Sequence, residues 1–211
     1  KDIELSKYCF VVLNAQIKAG NFDSFDVPQL LDMINQCENE LADYALSVIS
    51  TAITYSPTVF PEITHVCSIF PTIITKFQPK YIFEFIESLI SKGSDYPSFF
   101  LSFLDYFAGL FSTCKSIDKD YIIKSICLII LQNHLIQIDN ESICEDLIDS
   151  LLFNSDATNL IIDTLMQLKY YTQDFCDALL RLSTSNDEFV SEYALHAYEF
   201  VDKQLKLDAE L

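Results

Sequence analysis

This 211-residue chain has no tryptophan, 3 glycines, 6 prolines, and only 13 basic residues against 31 acidic ones. Each shortage excludes something. Nucleotide-binding loops need glycine where the backbone approaches a phosphate closely. Gly20, Gly93 and Gly109 lie too far apart to build a GxGxxG turn or a P-loop. A GxSxG nucleophile elbow is absent too. Scarce Gly and Pro also leave few turns, so helices should be long and closely spaced. No Asn-Gly or Asp-Gly pair marks a hairpin, and apolar–polar alternation never runs for a useful length, so no strands are expected.

The shortage of bases leaves a formal charge of −18, unevenly spread. From Asp139 onward 16 acids face 4 bases, whereas the first 138 residues hold 15 against 9. Such a chain repels phosphate backbones and anionic membrane surfaces. It attracts basic protein segments, so a basic protein partner is expected and direct nucleic-acid binding is not. The acids Asp174, Asp177, Asp187, Glu188 and Glu192 could rim a binding face and steer such a partner.

Metal and thiol chemistry are short of residues as well. The seven cysteines, at 9, 37, 67, 114, 127, 144 and 176, are never closer than 13 residues, and none forms a CxxC pair. They read as reduced, mostly buried thiols of a cytosolic or nuclear protein. His65, His134 and His196 stand in no HExxH or similar pattern, so no metal, cofactor or catalytic residue is expected. The longest uncharged run, Tyr44 to Pro61, contains prolines and polar residues and is no membrane span. "KDIELSKYCF" is no signal peptide, and the missing initiator Met suggests a piece of something longer.

What the chain does have is recurrence. "LADYALSV" at 41–48 returns as "VSEYALHA" at 190–197, and the same shift lays Leu30, Leu31 and Met33 over Leu179, Leu180 and Leu182. Leu41, Ala45, Leu46, Ile49 and Ile53 form one helical stripe, which Ser56-Pro57 stops. From Leu46, steps of 40, 40, 39 and 30 reach Ile86, Ile126, Leu165 and Leu195. The residue before the anchor is small at Ala45, Ser125, Thr164 and Ala194, and large at Phe85. A small residue there lets a neighbouring helix approach closely. Pro28 and Pro71 each admit a shorter helix in its first turn. The spacing therefore predicts a unit of short, medium and long helix, repeated about every 40 residues, with the last unit degenerate or a helix pair.

Here the chain resembles the armadillo family, close kin of HEAT repeats. The stretches that carry the likeness are "VPQLLDMI" with "YALSVISTAI", then "FPTIITKF" followed by "YIFEFIESLIS". Residues 27–92 match best and 176–201 more loosely. The resemblance implies an all-α, right-handed superhelix of about four to five repeats, with 1–211 as a single domain. It implies a non-catalytic scaffold that binds a protein partner in a concave groove. Mapped residue by residue, that groove would be lined by Ser47, Thr51, Glu87, Ser91, Cys127, Leu131, Met166, Tyr170, His196 and Phe200. None of these is the Trp or Asn with which importin-α-like members grip an extended basic peptide. The alternative is a structural segment that stacks on further repeats or on a copy of itself, which the apolar look of residues 1–20 would suit.

Overall fold

A computed structural model of the protein describes residues 3–21, 27–37, 39–55, 69–91, 103–111, 116–132, 141–151 and 156–209. Every regular element among them is helix, so the all-α expectation stands. The chain divides into two compact units, Lys1–Phe107 and Ala108–Leu211.

In the first unit, α1 (Ile3–Lys18), α3 (Asn39–Tyr55) and α4 (Pro79–Ser91) lie side by side, with α1 and α4 each packed on α3. Helix α2 (Val27–Gln36) and the 3-10 turn Ile74–Lys76 also pack on α3. Tyr55 ends α3 one residue before Ser56-Pro57. Gly20, at φ 71, terminates α1 in the left-handed conformation that lets Asn21 N–H reach back to the Gln16 carbonyl. Lys76 donates to the carbonyls of Ile34 (2.9 Å) and Asn35 (2.7 Å), satisfying acceptors that the end of α2 leaves open. Asp43, buried inside α3, accepts from Gln78 N–H at 2.9 Å and from Gln78 Nε2 at 2.8 Å. Gln78 is the residue that opens α4, so one carboxylate ties the two long helices together.

Helix α5 (Leu104–Phe111) straddles the division. The second unit holds α6 (Ser116–Gln132), α7 (Glu141–Leu151), α8 (Thr158–Gln167), α9 (Gln173–Leu182) and α10 (Glu188–Asp208). Alternate helices meet: α6 packs on α8, α8 on α10, and α7 on α9, while α7 also touches α8 and α9 touches α10. The packing thus runs between helices that are adjacent or next to adjacent in sequence. Gln167 Nε2 donates to the Ile130 carbonyl at 2.9 Å, joining α8 to α6. Thr172 caps α9 and Asp187 caps α10, accepting from Phe189 and Val190 N–H.

The small positions sit where the spacing put them. Ala45, Ser125, Thr164 and Ala194 are all buried at helix contacts. Ser125 and Thr164 bond their own carbonyls four residues back, at 2.8 and 2.7 Å, so a hydroxyl can be buried there without losing a partner. Phe85 breaks the pattern because it faces an aromatic cluster: its ring stacks on Phe70 at 4.5 Å, and Phe70 meets Phe103 edge-on at 5.4 Å. Of the anchors, Leu46, Ile86, Ile126 and Leu165 are buried, but Leu195 is 44% exposed. The buried side of α10 centres on Ala194, Ala197 and Val201, which turns Leu195 about 100° outward. The shorter final step thus lands on the wrong face. His65, His134, Cys67 and Cys114 lie outside the described residues.

Candidate functional site

Helix α10 carries residues 189, 193, 196, 200, 203 and 207 at alternating steps of four and three, which places them on one stripe. They are Phe189, Tyr193, His196, Phe200, Lys203 and Leu207, and all are exposed. Phe189 is 83% exposed, an unusual position for so large an apolar side chain. The stripe meets α8 at one point and the segment between α8 and α9 at another. The Tyr193 hydroxyl donates to Asp163, and the Phe200 ring lies edge-on to Tyr171 at 5.8 Å. Met166, three residues from Asp163 on the same side of α8, is half-buried beside them.

The electrostatics of this face are acidic around an apolar seam. Glu192 and Glu199 are exposed next to the stripe, Asp163 stands at its α8 edge, and Lys203 interrupts it. The hydrogen bond to Asp163, with burial behind it, pushes the Tyr193 phenol up to about 12. The phenol therefore stays protonated, and the α8–α10 link persists, across the whole neutral range. Apolar anchors at helical spacing, flanked by carboxylates, suit an amphipathic helix with basic flanks.

The ten groove positions from the sequence are placed as follows. Ser47, on the least enclosed side of α3, accepts from Asn14 Nδ2 at 3.3 Å, and Thr51 on the same side is buried. Glu87 and Ser91 are exposed on α4. Cys127 does not line an open face: it is fully enclosed and bonded to Thr164 of α8, so the more accessible α6 side is Tyr121, Lys124, Leu128 and Leu131. Met166, His196 and Phe200 fall on the α8–α10 face. Burial, followed by the charges of Glu141, Cys144, Glu145 and Asp174, raises the pKa of Tyr170. Its neighbour Tyr171 makes the contact with Phe200 instead. Cys127 and Tyr170 each stand one residue from the position that fits, Leu128 and Tyr171, a rotation of about 100° on a helix, whereas Leu131 lies on the more accessible side of α6. Phe189, Tyr193 and Asp163 were not among the ten, although the four-three spacing that marks α10 is visible in the sequence.

Of the acids expected to rim a binding face, Asp174, Asp177, Asp187, Glu188 and Glu192 are all exposed, but Asp187 is engaged as the α10 cap and Asp177 accepts from Gln173 at 2.8 Å. A polar cleft of about 810 Å³ opens among the ends of α7, α8, α9 and α10, lined by residues that include Thr158, Asn159, Arg181, Ser185 and Asp187. Burial pushes the thiols of Cys127 and Cys144 up to about 12 and about 11, far from the range of a reactive thiolate. Among the described residues no group of His, Cys, Asp and Glu is arranged to hold a metal ion, and no helix is long and apolar enough to cross a membrane. The chain matches no protein-family model, no curated protein and no solved structure with which it was compared.

Proposed function

We propose that this protein is a non-catalytic scaffold, an armadillo- or HEAT-like right-handed solenoid, that binds a basic amphipathic segment of another protein. The binding surface is the α8–α10 face. One observation carries this reading: Phe189, Tyr193, Phe200 and Leu207 stand exposed on a single stripe of α10, bordered by Glu192, Glu199 and Asp163. A helix presenting apolar anchors at i, i+4, i+7 and i+11 would bury that stripe, and its lysines and arginines would meet the carboxylates. The alternation of contacts in the second unit supports the solenoid, because stacked helix pairs bury their apolar faces only against neighbours. The buried Cys127 and Cys144 act as small apolar fillers of the helical core.

The test is selection from a displayed library of helical peptides, run on the wild type and on a Phe189→Ser/Phe200→Ser variant. The wild type should enrich amphipathic sequences with Lys or Arg flanks, and the variant should lose that enrichment while keeping its helical circular dichroism. Equal enrichment on both proteins would rule out the α10 stripe as the binding face.

A further inference from the structure

Helix α1 leaves a second apolar face open, away from α3. Against the rest of its unit it buries only Phe10 and Ile17 fully, with Asn14 bonded to Ser47 and Lys7 paired to Glu40. On its outer side Leu5 is 62% exposed, Tyr8 69% and Val12 55%, and Ala15 and Ala19 continue the line. Positions 5, 8, 12, 15 and 19 step by three and four, which is the seam of a two-helix contact. The seam tapers from bulky residues at its N-terminal end to alanine at the other.

We propose that this seam pairs with itself, so that two copies of the chain associate through antiparallel α1 helices about a two-fold axis near Val12. Three features select a second copy as the occupant. The taper is self-complementary, since antiparallel pairing sets Leu5 against Ala19 and Tyr8 beside Ala15, bulk on small. The charges are self-complementary too: Glu4, which also pairs with Lys7 of its own helix at 3.2 Å, comes within a turn of Lys18 of the other copy, at both ends of the pair. Finally, α1 with Glu4, Lys7 and Lys18 is the one α-helix among the described elements whose formal charge is positive, in a chain of −18. Two such chains repel least where these helices meet. The contact is small. A 16-residue helix is about 24 Å long and about 10 Å wide, so the pair buries on the order of 500 Å² in total, below the range of tight complexes. The dimer is therefore weak and concentration-dependent, and added salt strengthens it by screening the net repulsion.

Sedimentation equilibrium of the full chain tests this. The mean mass should climb from monomer toward dimer as protein rises through the upper micromolar range, and climb further on raising salt from about 20 to about 200 mM. Tyr8→Glu and Val12→Glu, at exposed positions, should hold the protein monomeric with an unchanged circular dichroism spectrum. Glu4→Lys and Lys18→Glu should each weaken the dimer at low salt, and the double swap should restore it. A monomer at every concentration overturns the proposal. So does a dimer that survives Val12→Glu, or one that the double swap fails to restore.

Discussion

Asp43 gives the sharpest account of how two helices 35 residues apart are held together. Replacing it with alanine removes both acceptors of Gln78, at 2.9 and 2.8 Å, and leaves the N–H that opens α4 without its partner. Hydrogen bonds to a charged acceptor contribute about 1.5–3 kcal/mol each, from which the cost of burying the carboxylate must be subtracted. We expect Asp43→Ala to cost about 2–4 kcal/mol. Asp43→Asn keeps a carbonyl for the Gln78 N–H, and the Gln78 amide can turn to accept from the new NH₂. Its cost should be about 1 kcal/mol. Burial is the main influence on the Asp43 pKa and raises it, with the charge of Glu40 adding to the rise and the Gln78 bonds working against it. A raised folded-state pKa means the native state holds the proton more tightly than the unfolded chain. The resulting stability is complete below the ordinary Asp range and is lost as pH rises through the folded-state value. Acidifying from pH 7 into the ordinary Asp range should therefore stabilise the wild type relative to Asp43→Asn. Urea unfolding followed at 222 nm, with amide exchange at Tyr81 and Ile82, measures both effects. Alanine and asparagine variants of equal stability would refute the reasoning, as would an alanine variant within about 0.5 kcal/mol of the wild type.

Four further outcomes are expected. Ala194→Leu, at the enclosed α10 contact, should destabilise by about 1–3 kcal/mol in thermal unfolding, whereas Leu195→Ala on the open side should cost under about 0.5 kcal/mol. Lys169 ends α8 at φ 54, a left-handed conformation that side chains resist, so Lys169→Gly should raise stability by about 0.5–1 kcal/mol. At pH 8, mass spectrometry after brief iodoacetamide treatment should find Cys9 alkylated, and Cys127 and Cys144, with thiols near 12 and 11, intact. Lys76→Met should loosen the end of α2 by removing the ammonium that holds the Ile34 and Asn35 carbonyls, leaving Ile34 only the weak Cys37 thiol, seen as faster amide exchange in that helix.

The all-helical character was legible because it rests on two local signals: apolar residues at helical spacing, and Pro or Gly where helices stop. Ala45, Ser125, Thr164 and Ala194 were placed at contacts from spacing alone. Rotation about each helix axis was less legible. A one-residue error turns a side chain by about 100°, enough to move Cys127 from groove to interior and to exchange Tyr170 for Tyr171. Leu195 failed for the same reason, because the shorter last unit no longer keeps the phase of the earlier ones. The long-range ties of Asp43 to Gln78 and Lys76 to Ile34 were not legible at all. They depend on which helix ends meet in space, which no local pattern encodes. The apolar seam of α1 was visible as composition, but its exposure emerged only once α3 had covered the opposite side.

The chain contains 2 methionines, and they make the most direct test of the binding face. Met166 lies on the α8–α10 side, while Met33 is exposed on α2 in the other unit. With the methyls labelled by carbon-13, each gives its own resonance, and a peptide taken from the display selection can be titrated in. The account predicts that the Met166 methyl shifts with saturation while Met33 stays put, and that Phe200→Ser abolishes the shift. A titration that moves Met33 instead, or that moves Met166 equally in the Phe200→Ser variant, would contradict it.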